Sequence, residues 1–230
     1  MYKGNKNIAG YREQIKSVVK PHDMFIELFA GSAAVSHFLS TPPAKTWLND
    51  LWPGAVEHFV YSGHGMKITH FDAIDLLQSF LATPAGSKLL FFADPPYLHS
   101  TRPNSTEIYV NEPDNDWHVR FLECIQNYPH DIILTHPDCD LYSKYLAHWN
   151  SKTVKVRYHN KTSVERIYYN FPEPVELFDY TSCGQNRTDR QRIKRQVNNF
   201  IRKLEDMPAL QRNHILELIN SNFADAKKTA

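Results

Sequence analysis

A three-layer α/β fold on a mostly parallel sheet is predicted by three features of this sequence. Apolar runs of strand length alternate with helical patterns. The first four runs end near an acidic residue: Glu27, Asp50, Asp72 and Asp94. A glycine turn, Ala30-Gly31-Ser32-Ala33, follows the first run at once. Ligands of open parallel sheets bind beyond the carboxyl ends of the strands, so these four carboxylates fall at the predicted binding edge.

The elements follow in order. Ile8, Ile15, Val18 and Val19 lie on one side of a helix that stops near Pro21. Met24 to Phe29 reads as a buried strand, followed by the glycine turn and a helix through Val35 to Leu39. Thr46 to Leu48 is a short strand ending in Asn49-Asp50, and Ala55 to Tyr61 a helix. Ile68 to Phe71 is a third strand ending at Asp72, with a helix over Ile74 to Leu81. Leu89 to Ala93 is the most apolar strand and runs into Asp94-Pro95-Pro96-Tyr97. A polar loop, 98–116, leads to a helix over 117–127, a strand over Ile132 to Thr135 and a helix over Leu141 to Trp149. Thr153 to Tyr158 and Val164 to Phe171 form a closing hairpin.

Residues 181–230 differ in composition. Over residues 187–203, Arg187, Arg190, Arg192, Lys194, Arg195, Arg202 and Lys203 stand against a single acid, Asp189. A second helical pattern follows, with a break near Pro208. Two domains are therefore expected: a catalytic α/β domain over 1–180 and a basic helical tail over 181–230.

Composition excludes several classes. The hydrophobic fraction of 42% and charged fraction of 22% describe an ordinary globular chain and exclude global disorder. The three cysteines, Cys124, Cys139 and Cys183, form no C-x-x-C pair, so neither a disulfide framework nor a zinc site is expected, and a reducing, cytoplasmic setting is. No run of about 18 apolar residues occurs, so no membrane partner is expected. The net charge of +1 announces no nucleic-acid binder; the clustering of charge in the tail does. Its seven basic side chains suit phosphate contacts, or else a solvated helix face.

The tetrapeptide Asp94-Pro95-Pro96-Tyr97 carries the sharpest chemistry. The lone pair of an aromatic amine is delocalised into its ring. Two acceptors aimed at the two amine hydrogens push the nitrogen toward a tetrahedral geometry and free that pair. The Asp94 carboxylate can be one acceptor. The Pro95 carbonyl can be the other, because the next proline holds residue 95 extended. Tyr97 supplies a face on which a base can stack. The bland reading is a stiff turn with a capping Asp, and Asp72 in particular reads equally well as a helix cap. Loop 98–116 carries Arg102, Asn104, Asn111 and Asn115, groups that can read base edges or simply be solvated. His136 has no metal spacing around it and reads as structural. No Pro-Cys dipeptide of the carbon-methylating cytosine enzymes occurs.

On these elements, over roughly residues 1–180, the chain resembles the Dam-like adenine-N6 DNA methyltransferases. Tyr2-Lys3-Gly4-Asn5-Lys6 is similar to the family's N-terminal element at the methionine end of the cofactor. Glu27-x-Phe29-x-Gly31 is similar to its cofactor loop. Asp50 stands where an acidic residue holds the ribose hydroxyls. Asp94 to Tyr97 is similar to the catalytic tetrapeptide, and Val164 to Phe171 to the closing strand, where Tyr169 or Phe171 borders the flipped base. Ala33 departs from the family, which often has a second glycine there. The stretch between Asp72 and Asp94 is also too short for the usual inserted target-recognition domain, so recognition falls to loop 98–116, the tail or a specificity partner.

The resemblance implies a Rossmann-like S-adenosylmethionine-dependent methyltransferase fold with the closing hairpin and the basic tail. It implies S-adenosylmethionine as cofactor, no metal, and DNA as substrate. It also implies a bacterial or phage-infected cytoplasm and a monomer or homodimer. RNA adenine, a protein amide nitrogen, and a catalytically silent nucleic-acid-binding protein of the same fold are the alternatives. The expected site comprises Asp94, Pro95, Pro96 and Tyr97 for catalysis. Tyr2, Lys6, Glu27, Phe29, Gly31, Asp50, Asp72 and Asp94 are expected at the cofactor. Arg102, Asn104, Arg187, Arg190, Arg192, Lys194 and Arg195 are expected on nucleic acid.

Overall fold

The computed structural model describes residues 8, 10–56, 65–84, 86–102, 110–158 and 161–223. The chain divides into two compact units, Met1–Phe178 and Asp179–Ala230.

The first unit is a seven-stranded mixed sheet with helices on both faces, a Rossmann-like three-layer α/β fold. Its strands are β1 (Met24–Glu27), β2 (Thr46–Asn49), β3 (Lys67–Thr69), β4 (Leu89–Ala93), β5 (Asp131–Pro137), β6 (Asn150–Tyr158) and β7 (Lys161–Tyr169). Their order is β3-β2-β1-β4-β5-β7-β6. The first five pair in parallel, and β7 then enters antiparallel between β5 and β6. The order of strand addition reverses between β1 and β4, with β2 and β3 on one side of β1 and β4 and β5 on the other. That reversal opens a crevice at the strand ends, where the acidic residues lie.

Side-chain alternation in the strands makes the three layers. Ile26, Leu28, Phe91, Ala93, Ile132, Leu134 and Tyr168 face one side. There they meet helices α3 (Ala73–Ser79), α4 (Asn115–Ile125) and α5 (Asp140–Tyr145). Phe25, Leu90, Phe92, Ile133, Ile167 and Tyr169 face the other side, against α1 (Tyr11–Lys16) and α2 (Ala34–Leu39). A strand buried on both faces has no polar alternate positions, which is why Leu89 to Ala93 reads as one apolar run.

Several boundaries move for local reasons. Helix α4 begins at Asn115, ahead of the expected 117, because the Asp114 carboxylate accepts the Trp117 N–H at 2.7 Å. Strand β6 begins at Asn150, ahead of the expected Thr153, because it pairs with β7 from Asn150 opposite Tyr169 onward. Helix α5 correspondingly stops at Tyr145, before the expected Trp149. The loop expected over 98–116 contains a short 3-10 turn, His99–Thr101. Of the helix expected over Ala55 to Tyr61, a 3-10 turn at Pro53–Ala55 is seen, and residues 57–64 lie outside the described residues.

The second unit holds two helices, α6 (Arg187–Glu205) and α7 (Ala209–Phe223), separated at Met207-Pro208. Asn186 caps α6 by accepting the Asp189 N–H at 3.0 Å. Arg202 and Lys203 sit in its last turn, where they complement the helix dipole. At helical spacing Ile193, Val197, Phe200, Ile201 and Leu204 form one stripe, Arg192, Arg195 and Arg202 lie opposite it, and Arg187 and Lys194 flank it.

Candidate active site

The four strand-end carboxylates stand at the carboxyl ends of β1 to β4, and each does a different job. Asp50 organises the loops after β1 and β2. Its Oδ2 accepts the Gly31 N–H at 2.8 Å and its Oδ1 accepts the Trp52 N–H at 3.0 Å. Gly31 has φ +51 and brings the turn close enough for that bond. Ala33 has φ +48, the left-handed conformation that a glycine adopts freely, at a cost of about 1 kcal/mol or more. Burial raises the pKa of Asp50, while the two N–H donors oppose the rise.

Glu27 is buried at the end of β1. Ser36 N–H and Ser36 Oγ–H donate to its two oxygens, each at 3.1 Å. Burial pushes its pKa up to about 8, the Asp94 charge adds to the rise, and the Ser36 bonds oppose it. The native state therefore keeps this proton up to about pH 8, whereas an unfolded glutamate releases it near 4.5. Between those values the native state binds more protons, so Glu27's contribution to stability is full below 4.5 and declines as pH rises toward about 8. Glu27→Gln is expected to remove that decline. The difference in urea midpoint between variant and wild type should grow steadily from about pH 5 to about pH 8; parallel pH profiles would refute it.

Asp72 caps α3 through Oδ1, accepting the Ile74 N–H at 2.8 Å, and its Oδ2 accepts Trp117 Nε1–H at 2.9 Å. It thereby ties α3 to the start of α4 while lining the cavity described next. Asp94 is half-buried after β4, and Thr135 Oγ1 on β5 donates to its Oδ1 at 3.0 Å.

A cavity of about 840 Å³ opens between the loops after β1, β2 and β3 and the tetrapeptide. Leu28, Phe29 and Ser32 line it from β1, Asp50, Leu51 and Trp52 from β2, Phe71 and Asp72 from β3, and Pro96 from β4. Leu51, Trp52 and Phe71 are exposed large apolar side chains, and all three line this one cavity. Gly54 makes room for the Trp52 indole, since a Cβ there would meet Trp52 Cζ2 at 2.7 Å. A cavity lined by aromatic faces and by the Asp50 and Asp72 carboxylates suits a nucleoside, with a flat base against the aromatic faces and vicinal hydroxyls on acceptors. These residues therefore fit the adenosine half of S-adenosylmethionine.

Tyr97 lies outside that lining. Its hydroxyl donates to Glu165 Oε2 at 3.1 Å, and its ring edge meets His136 at 5.4 Å between centroids. His136 is buried and stacked on Tyr142 at 3.7 Å. Its Nδ1 bonds the Pro137 carbonyl at 2.8 Å, which puts the proton there and leaves Nε2 to accept the Leu98 N–H at 3.4 Å.

The other expected residues fall as follows. Arg102 is turned inward, its side chain 3% exposed and its guanidinium paired with Glu112 at 2.6 Å and bonded to the Tyr97 carbonyl. That engagement occupies the donors expected to read base edges. Asn111 lines the cavity. Tyr2, Lys6 and Asn104 lie outside the described residues. Tyr169 and Phe171 are packed in the core against α1 and α2, because β7's register turns them to that face; neither is among the cavity's lining residues. In the tail Arg187, Arg192, Lys194 and Arg195 are exposed, with Arg192 paired to Asp189 at 2.6 Å, and Arg190 is half-buried. Glu165, Glu112 and Trp117 were missed from sequence, since an isolated acid on an edge hairpin or in a polar loop carries no local signal. Among the described residues no group of three His, Cys, Asp or Glu side chains could hold a metal ion, and no helix is long and apolar enough to cross a membrane.

No model of a known protein family matches the chain, and no curated protein matches it. Solved structures resemble the chain at low identity. An rRNA methylase from Streptococcus thermophilus is 9% identical over 74% of this chain and 98% of its own, with a TM-score of 0.44. The 23S rRNA methyltransferase ErmE is 9% identical over 85% and 78%, with a TM-score of 0.46. A precorrin-6y C5,15-methyltransferase from Geobacter metallireducens is 14% identical over 74% and 91%, also with a TM-score of 0.46. At identities and scores this low, function has to be read from the site itself.

Proposed function

We propose that this protein is an S-adenosylmethionine-dependent methyltransferase acting on the exocyclic N6 amine of adenine in nucleic acid, with DNA as the substrate. The observation that carries the reading is the tetrapeptide Asp94-Pro95-Pro96-Tyr97 at the end of β4, with its Pro96 lining the same cavity as Asp50 and the aromatic side chains Trp52 and Phe71. S-adenosylmethionine, when bound, supplies an electrophilic methyl group on a sulfonium whose departure leaves a neutral thioether. Leu51, Trp52 and Phe71 enclose the adenosine, and Asp50 accepts from its ribose hydroxyls. The target adenine has to leave its stack to reach the tetrapeptide. Tyr97 stacks on it, and the Asp94 carboxylate and Pro95 carbonyl accept its two amine hydrogens. Thr135 keeps Asp94 aimed. The proton shed by the methylated nitrogen passes to Asp94 and on to water. Positioning and fixed dipoles do most of the work.

The test is transfer of radiolabelled methyl from S-adenosylmethionine to unmethylated DNA, with structured RNA and protein as parallel acceptors, followed by nucleoside analysis. Label in N6-methyladenine from DNA is the expected outcome. Label in RNA moves the substrate and keeps the chemistry. Label in protein, or none with any acceptor, overturns the reading.

The exposed basic face of α6 is the proposed phosphate contact, which positions the enzyme without specifying sequence. Replacing Arg187, Lys194 and Arg195 together with alanine should weaken DNA binding and flatten its dependence on salt. The slope of log K against log salt should lose about 0.9 for each phosphate contact removed. An unchanged slope would show the face to be merely solvated.

A further inference from the structure

Tyr97 is fixed at both ends, and the chemistry proposed above needs neither fixation for stacking alone. A phenyl face would suffice to stack on a base. Yet the hydroxyl donates to Glu165 Oε2 at 3.1 Å, and the carbonyl accepts Arg102 Nε–H at 2.8 Å. Arg102 is itself held by Glu112, with Nη1 donating to Oε1 at 2.9 Å and Nη2 to Oε2 at 2.6 Å. The next residue, Leu98, donates its N–H to the buried His136 ring.

Glu165 is the unusual member. It is fully buried in β7, opposite Pro137 of β5 and Val154 of β6. Taking a carboxylate out of water is costly unless specific hydrogen bonds offset it. An inward carboxylate in a closing hairpin, bonded across the site to the tetrapeptide's tyrosine, has a geometric consequence. With the hydroxyl and the backbone both anchored, the ring keeps one tilt before any base arrives.

We propose that Glu165 is a positioning residue: through the Tyr97 hydroxyl it holds the aromatic ring at the angle at which the ring stacks on the target base. The proposal rests on the adenine-methylating reading above. A preset platform saves the ordering cost at binding and keeps the amine near its acceptors, where small misplacements are expensive.

The experiment uses the full chain and four variants: Glu165→Ala, Glu165→Gln, Tyr97→Phe and the double variant Tyr97→Phe with Glu165→Ala. Glu165→Ala should lower kcat about tenfold, with the KM for S-adenosylmethionine unchanged. Glu165→Gln keeps an acceptor for the hydroxyl and should recover most of that loss. Tyr97→Phe should lose as much as Glu165→Ala, and the double variant no more than either. Losses that add in full overturn the proposal, as does a wild-type kcat in Glu165→Ala.

A second readout is independent of turnover. In protein carrying 13C at tyrosine Cζ, the Tyr97 signal is identified by its loss in Tyr97→Phe, and it should shift in both Glu165 variants. Should Glu165→Ala fail to fold, Glu165→Gln alone decides by this signal. Absence of transfer to any nucleic acid by the wild type sinks the functional reading. An unmoved Tyr97 signal in an active enzyme sinks the Glu165 proposal alone.

Discussion

Asp94→Ala is expected to lower kcat for methyl transfer by about 10³-fold while leaving the fold and most cofactor binding intact. Asp94 sits after β4 with Thr135 Oγ1 donating to its Oδ1 at 3.0 Å, so one oxygen is pinned and the carboxyl plane is set. Removing it deletes the charged one of the two acceptors that pyramidalise the amine. It also deletes the group that receives the proton. Hydrogen bonds to charged groups contribute about 1.5–3 kcal/mol even in ground states, and more where charge develops in the transition state. Asp94→Asn keeps the shape but offers only one acceptor oxygen, so it should fall between the two. Single-turnover rates measured alongside calorimetric titration with S-adenosylmethionine separate chemistry from binding. A variant that transfers methyl groups at the wild-type rate would remove Asp94 from the mechanism. The same substitution should also lower the pKa of Glu27, because the Asp94 charge is one of the causes that raise it.

Asp50→Ala is expected to act on binding rather than on chemistry. The carboxylate is buried and satisfies two backbone donors, Gly31 N–H and Trp52 N–H, from loops on either side of the cavity. Its loss strands both donors and removes the acceptor proposed for the ribose hydroxyls. Each unsatisfied buried donor costs about 1–3 kcal/mol. The dissociation constant for S-adenosylmethionine should therefore rise by about 10²-fold or more, with a lowered melting temperature. Asp50→Asn retains an oxygen for one donor but turns an NH2 toward the other, and should lose affinity to a lesser degree. Equal affinity in wild type and Asp50→Ala, by calorimetry, would move the ribose elsewhere in the cavity. The two substitutions together distinguish the halves of the site: one should change kcat with little effect on cofactor affinity, the other the reverse.

What the sequence by itself determined were the features written in short-range pattern. Leu89 to Ala93 is apolar throughout because β4 is covered on both faces, and the strand has the predicted bounds. The turn after β1 shows as glycine because Gly31 has positive φ. The order of strands and helices, the strand-end positions of Glu27, Asp50, Asp72 and Asp94, and the break at Pro208 needed only periodicity and turn chemistry.

What only the tertiary structure decided were the partners of individual side chains. Asp72 looked alike as cap or ligand group, and it took the approach of Trp117 from α4 to engage its second oxygen. Arg102 looked free to read bases until Glu112 and the Tyr97 carbonyl enclosed it. Glu165 meets Tyr97 because β7 inserts between β5 and β6 in one register, and a slip by one residue would turn it to the other face. Periodicity reports which face a residue occupies; which neighbour waits on that face is set by strand order and register, and these are properties of the whole sheet.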